Sequence, residues 1–268
     1  MPALAVPRVL LFAAHPDDET IGAGSFLSRQ PTAEVIHVTD GAPRNMRDAT
    51  AAGFPTQAAY AAARITEVKN ALQLAGIQSA AIKNMHYTDQ QVSHQLKDLT
   101  IDILGIFREH TPELVLTHAY EGGHPDHDAV AFACHLALKI LRRQATHTAP
   151  RLMEFAAYHG NNGSIKTYDF IPQHGVPERA PEIRRELTPD EQVLKTKMLG
   201  AFLTQTKTLQ AFLPPKVEAY REAPEYDFTR PPHEGKLYYE HFDWGMDGAR
   251  WRKLAREAVR DLGFPAKS

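Results

Sequence analysis

An α/β fold, with a mostly parallel sheet and helices on both of its faces, is what this sequence predicts. Three observations carry the prediction. Short apolar segments bounded by polar or turn residues recur through the first half of the chain, segments of helical periodicity separate them, and a polar cluster follows three of the apolar segments. Strand then helix, repeated, implies parallel pairing, and such sheets bind ligands in the loops at the carboxyl ends of their strands.

The elements follow in order. "RVLLFAA" (8–14), "AEVIHVTD" (33–40), "AAIKNMHY" (80–87) and "PELVLTHAY" (112–120) read as strands. Residues 56–76 and 93–112 read as helices. In the second, Leu96, Leu99, Ile103, Ile106 and Phe107 recur at helical spacing and Pro112 helps end it; in the first, Gly76 stands where a carboxyl-terminal cap belongs. A helix from about His127 to Gln144 and a strand over 151–160 follow. Beyond Gly160 the pattern weakens. Residues 165–171 read as a strand, 188–212 as a helix capped by Thr188, 214–235 as a proline-rich, charged surface wrap, and 237–245 lead to a closing helix over 249–263. With no repeat and no linker, one domain is expected over 1–268: an α/β core over 1–160, and 161–268 as the part that shapes the substrate site.

Bulk composition excludes several functions. Apolar residues make up 43% of 268, enough for a substantial core. Lysine and arginine number 30 against 32 acids, a formal charge of −2, so neither nucleic acid nor an anionic membrane is an expected partner. No apolar run approaches the roughly 20 residues of a membrane span. "MPALAVPRVL" lacks the pattern of a secretion signal. The single cysteine, Cys134, lies in the apolar run "AVAFACHLALKIL" and reads as a buried, inert thiol. A cytoplasmic location is expected, and a homo-oligomer is compatible with everything above.

The chemistry lies in two similar pieces. "HPDDE" brings His15, Asp17, Asp18 and Glu19 to the end of the first strand; "HPDHD" brings His124, Asp126 and His127 to the end of the fourth. Crowded carboxylates repel unless something positive lies between them. Each piece is a short turn stiffened by proline, which fixes φ and removes a backbone donor. Alone, either is an ordinary helix start, with acids favoured by the helix dipole. Together, each after a strand and facing one another at the sheet edge, they would describe a divalent-cation site. Two histidines, one carboxylate and an open position form a catalytic zinc set, although iron and cobalt accept the same ligand types. Spacing alone leaves the ligands undecided among these six residues.

"AAHPDDE" followed by "EGGHPDHDA" resembles the LmbE/PIG-L family of metal-dependent N-acetylglucosaminyl deacetylases. "RITEVKNALQLAG" and "HYTD" extend the resemblance over roughly the first 160 residues, with "KMLGAFLTQ" and "YYEHF" as weaker matches beyond. The resemblance implies a Rossmann-like three-layer α/β sandwich and a zinc-dependent hydrolase of carbon–nitrogen bonds other than peptide bonds. Its substrate would be a small N-acyl amino sugar or glycoconjugate, which loses its acyl group to a metal-activated water. By motif position, His15, Asp18 and His127 would hold the metal and Asp17 would be the general base. His124, protonated, would face the reacting carbonyl, with Asp126 orienting it. Either His124 or Asp17 would protonate the leaving amine.

Around this centre, Asp89 and Arg64 are the residues the resemblance places on the substrate, with an ordinary surface ion pair to Glu67 competing for Arg64. Arg44 and Arg47 follow the second strand, near enough to touch a substrate hydroxyl or phosphate, with solvated loop charges as the competing reading. Some relatives carry a tyrosine two residues before the first histidine of the second motif; here that position is Gly122, with Tyr120 nearby. His118, Tyr158 and His159 lie near strand ends, whereas His37 and His135 read as core residues. Three rivals compete. A dinucleotide site is disfavoured because Gly22 and Gly24 come too late after the strand and Leu27 replaces the third glycine. A metal-dependent hydrolase of phosphoesters would need more carboxylates than the spare Asp40 and Asp89. A non-catalytic metal-binding regulatory protein would have no use for Asp17 and His124.

Overall fold

In the computed structural model, residues 7–144, 148–161, 163–171 and 181–265 are described; the start of the amino-terminal segment, 1–6, lies outside them. Five strands run parallel or nearly consecutively through the first half: β1 (Val9–Ala13), β2 (Glu34–Thr39), β3 (Ile82–Tyr87), β4 (Leu114–His118) and β5 (Arg151–Phe155). β6 (Tyr158–Asn161) and β7 (Ser164–Thr167) form a separate antiparallel hairpin, so the single strand expected over 151–160 is two. The main sheet has the order β3-β2-β1-β4-β5-β9-β8, where β8 is Ile183–Glu186 and β9 is Val217–Glu222. β1 to β5 pair in parallel, and β9 and β8 join antiparallel.

The central strand shows why both faces are covered. Along β1 every residue is apolar: Leu10 and Phe12 point to one core cluster, Val9, Leu11 and Ala13 to the other. Helices α1 (Asp18–Ser28), α3 (Gln57–Leu74) and α6 (Pro189–Leu199) cover the second face; α4 (Leu96–His110), α5 (Pro125–Arg143) and α8 (Gly248–Asp261) cover the first. A short α2 (Arg47–Ala51) follows β2, and α7 (Thr206–Leu209) follows α6. Gly22 lies inside α1 where an added Cβ would meet the Phe155 ring at 2.0 Å; the glycine serves close helix–sheet packing. Cys134 is buried in α5, and burial pushes its thiol up to about 12. Among the described residues no helix is long and apolar enough to cross a membrane.

Two sequence expectations need correction. Residues 214–235 wrap the surface only in part: β9 lies within the sheet and Tyr226 and Phe228 belong to the core, whereas 229–235 stay exposed or half-buried. Two of the charges that suggested exposure, Glu218 and Arg221, are internal. Glu218 meets Lys195 at 2.8 Å with both side chains fully buried, and Arg221 meets Glu154 at 2.9 Å. The helix expected over 188–212 begins as foreseen, with a Thr188–Glu191 capping box, but stops at Leu199. Gly200 and a run of threonines are poor helix formers, and Glu67 accepts both the N–H (3.0 Å) and the hydroxyl (2.6 Å) of Thr204, drawing the chain off the helix axis.

Candidate active site

β1 and β4 are neighbours in the sheet, so the turns that leave them, 15–18 and 124–127, meet above the strand ends. Asp18 is the point of contact. Its Oδ2 stands 3.1 Å from His15 Nδ1, its Oδ1 stands 3.1 Å from His127 Nε2, and His118 Nε2 lies 3.5 Å away. Burial opposes charge on Asp18, yet the facing His127 and His118 hold its carboxyl well below the usual range. Burial also opposes charge on His15, but Asp89 (3.1 Å from Nε2), Asp126 (3.4 Å) and Asp18 outweigh it and hold its pKa well above normal. The carboxylates thus demand positive charge at this spot, which answers why the chain crowds them there.

That demand is a test of whether a metal fits. Overlapping sets of ligand atoms lie within 4.8 Å of one another: His15, His124 and His127; Asp18, His118 and His127; His15, Asp89 and Asp126. His127 Nε2 is buried and makes no hydrogen bond, although it faces a carboxylate oxygen. A buried ring nitrogen left in this way is an available lone pair, and burial lowers the pKa of His127 to about 4, keeping that lone pair free of a proton. Nitrogen and oxygen donors of this kind suit a divalent metal.

Asp17 takes a different course. Its backbone sits at φ 145°, a region non-glycine residues rarely enter, at a cost of roughly 1–3 kcal/mol. Two contacts hold it there. Its N–H donates to Glu19 Oε2 (3.0 Å), which His37 Nε2 meets at 2.8 Å, and its carboxylate faces Arg64 Nη2 at 2.9 Å. Arg64 also donates to the carbonyls of Pro16 (2.8 Å) and Gly41 (2.7 Å). Gly41 leaves room for that approach, since a Cβ there would meet the guanidinium at 2.8 Å. Burial pushes the Asp17 carboxyl up to about 8, against the pull of Arg64. The Arg64–Glu67 surface pair therefore gives way to a buried bond across the site.

The second turn is regular. His124 caps α5, its Nδ1 accepting the N–H of Asp126 at 3.1 Å, with Pro125 in the first turn of the helix. A ring nitrogen that accepts a backbone N–H carries no proton, so the ring is neutral and its Nε2 is the donor; burial accordingly holds its pKa well below normal. The expected protonated His124 is corrected to a neutral one. Asp126 does not orient it either: its carboxylate accepts the Gln90 N–H at 2.6 Å and faces His15, and only its backbone touches His124.

A cavity of about 770 Å³ opens over these groups. His15, Asp17, Asp18, Arg64, Asp89 and His124 line it, as does Tyr158. Two expected substrate residues do not. Arg44 is exposed on the loop after β2, and Tyr120 is buried among Tyr226, Phe228 and Trp251, its hydroxyl donating to the Arg230 carbonyl at 2.8 Å. Tyr120 reads as a site residue because it is near the motif in sequence, but β4 turns its ring into the core. His159 bonds its neighbour's carbonyl, Gly160, and His135 meets Glu154 at 3.4 Å, a satisfied core histidine as expected. Sequence reasoning missed the His37–Glu19 contact, although the parallel register sets His37 beside Ala13 of β1. It also missed the rings of Phe242 and Trp244, which line the cavity and which the aromatic stretch 237–245 signalled.

Residues 10–138 match the family described as PIG-L, GlcNAc-PI de-N-acetylase. No curated protein matches the chain in sequence. Among solved structures, the A40926 pseudoaglycone deacetylase Dbv21 is similar with a TM-score of 0.62 and 18% identity, covering 83% of this chain and 100% of that one. The zinc-inhibited form of teicoplanin deacetylase Orf2 gives 0.58 and 18%, over 82% and 99%. The N,N′-diacetylchitobiose deacetylase of Pyrococcus horikoshii gives 0.55 and 18%, over 81% and 84%. At such identities the structural likeness is one of fold.

Proposed function

We propose a zinc-dependent N-deacetylase acting on an N-acyl amino sugar or its glycoconjugate, a reading supported by the match of residues 10–138 to the family of PIG-L de-N-acetylases. The chain is accordingly a hydrolase of acyl amide bonds. One observation carries the finer reading: a single carboxylate, Asp18, lies between His15 of its own turn and His127 of the other at 3.1 Å each, beside a cavity that Asp17 and His124 also line. A structural metal site would close its fourth position and have no need of those two.

His15, Asp18 and His127 would hold the ion, which supplies an acidified water and a Lewis acid for the acyl oxygen. Everything else falls to the chain itself. Asp17 takes the proton of the attacking water; Arg64 fixes its carboxylate by a 2.9 Å bond, and burial keeps its affinity for a proton high enough to hold it through the step. His124, neutral, donates its Nε2–H to the acyl oxygen as negative charge develops there, a contribution of about 3 kcal/mol for one donor. Asp17 then returns its proton to the leaving amine, because a neutral His124 with an accepting Nδ1 has none to spare. Asp89 and Asp126 hold His15 from the far side.

Acetate release from N-acetylglucosamine and its glycosides, with metal stripped by a chelator and then restored, tests this reading. Activity is expected to vanish on stripping and return with Zn²⁺. Hydrolysis that persists in the stripped protein would overturn it.

A further inference from the structure

Away from the two turns, a pair of histidines shares one bonding state. His159 lies on β6 with 5% of its surface exposed, and its Nδ1 meets the Gly160 carbonyl at 2.9 Å. His233 lies in the 229–235 stretch, and its Nδ1 meets the Glu234 carbonyl at 2.7 Å. A carbonyl oxygen only accepts, so each ring carries its proton on Nδ1, and the neutral ring presents a bare lone pair at Nε2. Both Nε2 atoms are buried, and neither has a hydrogen-bond partner. Native folds rarely leave a buried acceptor in that condition. Among the described residues, one other histidine Nε2 is buried and without a partner: that of His127, a member of the proposed metal set.

The two histidines belong to neighbouring segments. The stretch that follows His233 packs on β6, where an added Cβ on Gly160 would meet Tyr238 Cβ at 3.1 Å. His159 and His233 are near enough that positive charge on one opposes it on the other, whereas Asp169 favours it. Burial holds the pKa of His159 below its ordinary value, which keeps its lone pair free of a proton. A bridging water has two protons to give and is the competing occupant. A metal ion fits the rings better, because each already donates its other nitrogen to a carbonyl, the outer bond that orients metal-ligating histidines. Imidazole selects zinc, copper or nickel; magnesium and calcium require oxygens. Lys166 and Arg184 hold Asp169, which leaves the remaining positions to solvent.

We propose that His159 and His233 form a second site for a divalent transition metal of the zinc type, distinct from the His-Pro-Asp turns, in which both rings bind through Nε2. The ion fastens the 229–235 stretch to the β6–β7 hairpin. Tyr158 precedes His159 on β6, and its ring stands 5.1 Å from that of His127. The fastening therefore reaches the wall of the cavity without using His15, Asp18 or His127.

Equilibrium dialysis of the full chain against Zn²⁺, after stripping with a chelator and followed by metal analysis, tests the site. His159→Gln and His233→Gln are each expected to bind one equivalent less than the parent, and excess Mg²⁺ should not displace that equivalent. The readout is a difference between parent and variant, so it depends neither on the ion at the His-Pro-Asp turns nor on acetate release. His233 is only half-buried and lies in an irregular stretch, which keeps the test decisive if His159→Gln fails to fold. As a second measurement, Zn²⁺ should raise the thermal midpoint of the stripped parent by more than that of His233→Gln. Equal Zn²⁺ content in the parent and both variants, an equal rise in midpoint, or displacement by Mg²⁺ would overturn the inference. Equal content would assign the two lone pairs to a bridging water, and the deacetylase reading would stand.

Discussion

The two His-Pro-Asp turns share a sequence pattern and solve different physical problems. In the second, the backbone is relaxed: His124 caps α5, proline occupies the first helical turn, and Asp126 points away from the cavity to hold a backbone N–H and face His15. In the first, Asp17 stands at φ 145° and caps nothing with its side chain; its carboxylate turns into the cavity toward Arg64. The same aspartate, one residue after proline, turns away from the cavity in one turn and lines it in the other. What separates them is what lies behind each. Arg64 on α3 and the His37–Glu19 pair stand behind the first turn, whereas β3's following loop lies behind the second.

That contrast can be broken by exchanging charge for amide in each turn. Asp17→Asn is expected to lower kcat by roughly 10²–10⁴-fold, the usual worth of a general base, with bound metal unchanged. Asp126→Asn should cost only about 10–100-fold, and should do so by weakening metal retention through His15. Steady-state kinetics alongside metal analysis of both proteins decides; equal losses of kcat at full metal content would erase the distinction.

Removing what stands behind the first turn sharpens it. Arg64→Met strands a buried carboxylate and two carbonyls, and up to roughly 3–5 kcal/mol of stability should go with it, read as a lower denaturation midpoint. Next in size is the His37 contact. His37→Leu leaves Glu19 buried with one partner fewer, at about 1–3 kcal/mol, and should lower kcat more than it raises KM because the Asp17 backbone loses its anchor. His37→Gln keeps a donor and should recover most of kcat; if it does not, the contact is packing alone.

A further effect concerns the approach to the second turn. Burial pushes the Glu121 carboxyl from 4.5 up to about 8, and it accepts the Ile171 N–H at 2.7 Å. A carboxyl whose folded pKa is raised stabilises the fold fully below its unfolded value and loses that contribution as pH rises through about 8. Thermal midpoints of the parent protein should therefore fall between about 4.5 and about 8, and Glu121→Gln should flatten that fall. An unchanged profile would mean that Glu121 is ionised in the fold.

Much of this was legible in the chain. The alternation of apolar segments with helical ones specifies β1 to β4 and the helices between them, because a residue's own spacing decides which face it buries. The two turns were legible because proline and crowded acids are local signals. The carboxyl-terminal half was not. Buried Glu218 and Arg221 look like surface charge until Lys195 and Glu154, distant in sequence, are brought against them. Tyr120 looked like a site residue for the converse reason, being near the motif along the chain but turned into an aromatic core.

Sequence alone determined the chemical inventory: two imidazole-and-carboxylate turns at the ends of parallel strands, and a family to which the pair points. Tertiary structure decided the assignments. Which aspartate faces the cavity and which rings line it depend on partners tens to hundreds of residues away. Local spacing fixes periodicity and turns, but the energy of a buried charge or a strained backbone is set by whatever the fold packs beside it.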